Sequence, residues 1–243
     1  MLEAAFWGVA SAISLLLGAL IALRWQVPTR VLGLVMGFGA GAMISAVAFE
    51  LVDEAIEVSS GAGIVGVGLA AGALAFFGGD WYIDRQGGEQ RKSVTAEQED
   101  GNPRAIVLGT VLDGVPESIV IGGSLVLGGG VSVAMVAATF LSNLPESLGA
   151  SVGLVSAGVS RGRILVIWTA IVVVSGLAAA LGYMLLDNAS PDLGAFFQAF
   201  AAGAMLTMLA DTMMPEAFAE GGKPVGLLTV LGFTLAVWLS SFE

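Results

Sequence analysis

The sequence predicts an all-α, polytopic membrane protein of eight transmembrane helices arranged as an inverted repeat. The chain of 243 residues is 56% hydrophobic and only 12% charged, with a mean hydropathy of +0.91. No soluble domain could hide so much apolar surface. The apolar residues fall in eight runs, at about 4–23, 31–52, 61–83, 105–127, 131–157, 164–186, 193–215 and 224–242, each near the roughly 20 residues needed to cross a bilayer. All nine Lys and Arg residues lie in or beside the first, third, fifth and seventh connections between these runs. The positive-inside rule then puts those connections in the cytoplasm and both termini outside, in a multi-pass protein of the plasma membrane.

Each segment has its own marks. The first ends on Arg24; it has no basic leader and carries Glu3 instead, so it does not read as a signal peptide. The second follows Arg30, contains Phe38-Gly39-Ala40-Gly41-Ala42-Met43, and closes on Glu50 and the outer acids Asp53, Glu54 and Glu57. The third ends at Asp80, Tyr82, Asp84 and Arg85, which mark the inner interface. The stretch 85–103 is rich in Gly, Glu, Gln and Lys and reads as a flexible cytoplasmic loop with no core of its own. Residues 1–243 thus form a single transmembrane domain. The fourth and fifth segments carry Leu112-Asp113-Gly114-Val115-Pro116-Glu117-Ser118 and Leu141-Ser142-Asn143-Leu144-Pro145-Glu146-Ser147. The sixth runs from Arg161 and Arg163 to Asp187. The seventh starts after Asp192, contains Phe200-Ala201-Ala202-Gly203-Ala204-Met205 and holds Asp211 near its inner end. The eighth follows Lys223 and ends by Glu243.

Two pairs of these motifs match: the Gly-Ala-Met runs of segments 2 and 7, and the Pro-Glu-Ser runs of segments 4 and 5. In the orientation above each pair is antiparallel. That is the mark of an inverted repeat, a plan common among secondary transporters, which bind substrate near the midplane.

Composition narrows the chemistry. With no Cys and no His, thiolate and imidazole ligands are excluded, as are disulfides and the usual proton shuttle. The net charge of −11 does not suit nucleic acid, and acids at the outer mouth would concentrate cations. The central feature is a set of carboxylates at depth. Asp113 and Glu117 are one helical turn apart, with Cβ atoms about 6 Å from each other, and Glu146 sits on the next segment. No Lys or Arg lies inside any span. Ionisable groups so placed mark a functional site, and a bound cation or protonation is what balances them. Pro116 cannot donate to the carbonyl of Leu112, nor Pro145 to that of Leu141, so each proline offers an oxygen beside the acids. Asn143 adds an amide oxygen and Ser142 a hydroxyl. Hard oxygen ligands suit divalent ions. Met43 is a candidate thioether ligand from segment 2. Glu50 and Asp211 are candidates for the entrance and the exit of a pathway.

The eight spans, outside termini, long third connection and paired Pro-Glu motifs resemble the ZIP (Zrt/Irt-like protein) metal transporters over essentially the whole chain. Asp113-Gly114-Val115-Pro116-Glu117-Ser118 is similar to the family's His-Asn-x-Pro-Glu-Gly, and Ser142-Asn143-Leu144-Pro145-Glu146-Ser147 to its partner, often His-Glu-x-Pro-Glu-Gly. The resemblance implies that Glu117 and Glu146 ligate metal, that Asp113 stands where a histidine usually does, and that segment 2 contributes, with Met43 the nearest candidate. The chain departs from the family in lacking both motif histidines and the histidine-rich loop. Gly114 also replaces a ligating Asn, so a second adjacent ion is not expected.

The expectation is therefore a permease, not an enzyme, that moves a divalent metal (zinc, or manganese or iron) through a carboxylate-lined site between helices 2, 4, 5 and 7. It would do so without a cofactor, with the bilayer and the metal ion as partners; a homodimer is compatible with it. The alternatives are a membrane protein that binds or senses metal without moving it, and an intramembrane aspartyl protease. The protease reading fails on its motif, since Phe77-Gly78-Gly79-Asp80 lacks the first glycine of Gly-x-Gly-Asp.

Overall fold

A computed structural model describes residues 1–85, 103–127 and 130–242. The loop with Arg91 and Lys92, and the terminal Glu243, lie outside the described residues. Among the described residues there is no strand. The described residues form eight rods: α1 (Leu2–Arg24), α2 (Thr29–Val58), α3 (Ala62–Ile83), α4 (Pro103–Leu127), α5 (Val133–Ser156), α6 (Arg161–Leu186), α7 (Pro191–Gly221) and α8 (Val225–Ser240). Six of them, all but α5 and α8, are long and apolar enough to cross a membrane. The 24 residues of α5 are interrupted by Ser142, Asn143, Glu146 and Ser147, and α8 has only 16 residues.

Two rods outrun the segments expected at 31–52 and 193–215. Helix α2 continues to Val58 and α7 to Gly221. Charge ends a hydropathy run, but it does not end a helix, and Asp53-Glu54-Ala55 and Pro215-Glu216-Ala217 hold good helix formers. The rods stop only where Ser59-Ser60-Gly61 and Gly222 intervene; Gly222 takes a φ of 71°, which favours glycine. Each long rod also contains a wide π turn, at Val47–Val52 and at Leu209–Met213, the signature of one extra residue accommodated without breaking the helix.

The rods pack as four parallel pairs. Along α2 and α8, Gly37 meets Val225, Gly41 meets Thr229 and Glu50 meets Ser240, so both rods advance together. In the α3–α7 pair, Gly68 meets Ala199 and Gly72 meets Phe200. Between α1 and α5, Gly18 lies on Leu144, and Leu23 shares a cavity with Val152. In the α4–α6 pair, Val107 shares a cavity with Arg163, and Ile119 meets Gly182. Small residues let these backbones touch, as expected where lipid removes any hydrophobic drive for association between helices. A Cβ at Gly232 would land on the carbonyl of Phe38, and one at Gly72 on the carbonyl of Phe200.

Helices α1, α4, α5 and α6 enclose one apolar cluster around fully buried Trp168, whose Nε1 donates to Ser151 Oγ at 2.8 Å. A second cluster centres on α2 and α7, with Met36, Met43, Met205 and Met208. The two groups of rods meet where α2 lies along α5 and where α4 touches α7. The parallel pairing gathers Arg24, Arg30, Arg85, Arg104, Arg161, Arg163 and Lys223 at one end of the bundle.

Candidate cation site

The two Pro-Glu motifs lie inside continuous helices, Pro116 in α4 and Pro145 in α5. Around them the polar side chains are buried: Asp113 is 2% exposed, Glu117 1% and Glu146 3%, with Ser142 and Asn143 equally enclosed. The serines of both motifs turn back on their own helices. Ser118 Oγ donates to the carbonyl of Gly114 at 2.8 Å, Ser142 Oγ to that of Thr139 at 3.1 Å, and Ser147 Oγ to that of Leu144 at 3.1 Å. A hydroxyl that donates in this way still has lone pairs to offer.

Helix α2 forms an adjoining wall. Gly39 lies against α5, where an added Cβ would come 3.0 Å from the carbonyl oxygen of Leu141 and 3.0 Å from Ser142 Cα. Met43 follows one turn later and is fully buried within the apolar cluster that also contains Met205, a packing environment for its thioether. Gly114 is buried, yet an added Cβ would meet nothing within 4 Å, so there is open space on α4 next to Asp113. Among the described residues, no three acidic side chains stand close enough together to hold a metal ion by themselves.

The two pathway candidates lie on different rods, Glu50 on α2 and Asp211 on α7. Glu50 is half-buried in the π turn of α2, and its carboxylate accepts from Ser240 Oγ of α8 at 2.6 Å. Asp211 is exposed in the π turn of α7 and lines a cavity of about 250 Å³ with Phe77, Asp80, Trp81 and Asp84. Asp80, which is buried, and Asp84 line this cavity with Asp211, because α3 lies against α7 there. Arg85 caps the region, its guanidinium 3.7 Å over the ring of Trp81.

Sequence reasoning passed over Gln198. It is buried on α7 and donates to Glu54 Oε2 at 2.6 Å, while Asp192 accepts from the backbone N–H of Ser60 at 2.7 Å and from its hydroxyl at 2.9 Å. These bonds lace α2, α3 and α7 together at the end opposite the arginines. A lone amide in the apolar run Phe196-Phe197-Gln198-Ala199 was the available signal.

Fold and site together define a helical membrane protein with acids enclosed between its rods. The chain is similar to a protein of Arabidopsis thaliana named "Putative zinc transporter", at 29% identity over 191 residues, which is 77% of this chain and 30% of that protein. It therefore spans less than a third of the length of that relative. No protein-family model matches the chain.

Proposed function

We propose that the chain is a ZIP-like transporter of divalent metal ions in the plasma membrane, carrying zinc, manganese or iron between α2, α4, α5 and α7. The observation that carries this reading is the burial of Glu117 and Glu146 beside the prolines of two apolar helices that touch. Its similarity to a protein named for zinc transport supports it. The cation would take its ligands from Asp113, Glu117, Glu146, Asn143 and Ser142 and from the carbonyls of Leu112 and Leu141. Neutral oxygens are needed to complete this set, since the carboxylates do not form a three-acid cluster. Met43 would shape the α2 wall. Asp80, Asp84 and Asp211 would form the inner exit: Gly79 lies against Leu112, one residue from Asp113. Glu50 would mark the outer entrance.

An inverted repeat in eight spans is part of the proposal. The π turns begin at Val47 and Leu209, at the same offset as the pair Met43 and Met205. The close contact of Gly41 with Thr229 has its counterpart in Gly203 with Leu69, and that of Gly232 with Phe38 in Gly72 with Phe200. Parallel α1–α5 and α2–α8 pairs support alternating crossings that include α5 and α8. The basic end is then cytoplasmic and both termini are outside.

Topology is tested by labelling, which the absence of native Cys makes clean. A single Asn188→Cys variant is expected to react with an impermeant thiol reagent on intact cells, and Ser160→Cys only after lysis. The reverse pattern would overturn the orientation.

Selectivity is tested at Asp113. An oxygen-rich site discriminates weakly among first-row ions, whereas imidazole favours zinc. Asp113→His is expected to raise zinc uptake relative to manganese, measured by competition in proteoliposomes. A wild type already strict for zinc, with no change in the variant, would remove Asp113 from the ligand set.

A further inference from the structure

Helix α5 carries a row of polar residues along one side. Thr139, Ser142, Asn143 and Glu146 follow at offsets of three, four and seven residues, the spacing that stacks side chains on one helix face. Thr139 begins the row. Helix α5 ends beside Arg24 and Arg161, so Thr139 is the member furthest from the arginines. It lies seven residues before Glu146, about 10 Å along the axis, and is 2% exposed.

Its hydroxyl differs from those of the other threonines. Thr110, Thr169, Thr207, Thr212, Thr229 and Thr234 also lie inside helices. Each donates its hydroxyl to the carbonyl four residues earlier, at 2.8–3.2 Å. The carbonyl of Met135 stands at that same offset from Thr139, yet Thr139 Oγ1 is buried and makes no hydrogen bond to any described residue. Threonine in a helix has two rotamers open to it, and only back-bonding ties the hydroxyl to its own helix.

Buried hydroxyls in folded proteins are paired, and one that is not calls for a functional reason. Packing supplies none, since valine has the same shape and would leave no unpaired hydroxyl. Between Ser132 and Ser142, Thr139 is the only polar residue of α5. Its flanking residues Met135 and Ala138 belong to the apolar cluster that contains Met43, Ala46 and Val47. The hydroxyl is thus a polar exception in the apolar stretch that separates the carboxylates from the end opposite the arginines.

We propose that Thr139 is a further cation-contacting residue. Its Oγ1, with the amide oxygen of Asn143 one turn on, gives the divalent ion a neutral-oxygen step between the end opposite the arginines and the acids. Hard oxygen donors suit such ions. Neutral ones suit a step in a pathway, where binding must be strong enough to admit the ion and weak enough to release it. The inference rests on the transport reading above and adds a residue that reading leaves out.

The test compares Thr139→Val, Thr139→Ser and Glu117→Gln with wild type in proteoliposomes, using Zn²⁺, Mn²⁺ and Fe²⁺. Thr139→Val removes only the hydroxyl. It is expected to slow initial uptake by about threefold to tenfold, the worth of one neutral oxygen contact, while equilibrium metal binding stays within about twofold. Its apo melting temperature is expected to be unchanged or raised, because an unpaired hydroxyl has been removed. Thr139→Ser, which keeps the oxygen, is expected to transport as wild type does. Wild-type uptake that Glu117→Gln abolishes and Thr139→Val leaves unchanged would overturn this inference alone. So would a lowered melting temperature in Thr139→Val, which would mean that the hydroxyl holds the fold together, or failure of Thr139→Ser to keep uptake. No uptake of any of the three ions by wild type would overturn the transport reading, and this inference with it.

Discussion

Glu117→Gln and Glu146→Gln are each expected to abolish metal uptake by proteoliposomes and to weaken metal binding by at least about tenfold, roughly 1.4 kcal/mol or more, without unfolding the protein. Glutamine keeps the shape of glutamate and removes only its charge. Both carboxylates are almost completely enclosed, and a buried charge costs several kcal/mol unless something compensates it. A divalent ion is the compensation proposed here, so neutralising either acid should weaken the ion's hold far more than it disturbs the fold. Glu57→Gln, at an exposed acid in the last turn of α2, serves as the control and is expected to transport normally. Unchanged uptake by the Glu117 and Glu146 variants, together with a lowered melting temperature, would mean that the acids serve as interhelical packing polar groups and not as ligands.

The second large effect concerns assembly of the bundle. Gly72→Leu and Gly232→Leu are expected to give no folded protein. At both positions the first side-chain atom would overlap a backbone carbonyl of the parallel partner, which cannot move aside as a side chain can. Even Gly72→Ala should cost about 1–3 kcal/mol by overpacking. Gly66→Ala, in the same helix but facing open space, should be neutral or stabilising by up to about 1 kcal/mol, since alanine favours the helix. Thermal unfolding in detergent distinguishes them. Equal behaviour of Gly72→Ala and Gly66→Ala would contradict the close α3–α7 contact.

Much of this architecture is legible in the sequence, because hydropathy and basic residues report directly on the solvent around each segment. All eight rods fall on the eight apolar runs, and the buried acids of α4 and α5 stand out as charges where charge is costly. What the sequence did not reveal depends on backbone continuity and on distant partners. The extra turns of α2 and α7 are hidden because acidic residues end an apolar run while favouring the helix. The bond from Ser240 to Glu50 joins residues 190 positions apart, and that from Gln198 to Glu54 joins residues 144 apart. That Asp80 shares a cavity with Asp211 shows only once α7 is laid beside α3. Met43 reads as a candidate thioether ligand although a methionine in a membrane helix is usually packing, and its surroundings, an apolar cluster with Met205, agree with packing.

The unequal lengths of the rods bear on the membrane itself. Helix α2 has 30 residues and α7 has 31, so each extends about 45 Å, well beyond a hydrocarbon layer of about 30 Å. Helix α8, parallel to α2 and lined outside by Leu227, Val230, Leu231 and Trp238, has 16 residues and reaches only about 24 Å. On the eight-span reading proposed above, a rod this short cannot gain length by tilting; local thinning of the bilayer, snorkelling of its flanking residues or oligomerisation would accommodate it. On that reading the fold meets the bilayer with unequal thickness around its perimeter, and the acyl-chain length of the host membrane becomes a variable to which it is sensitive.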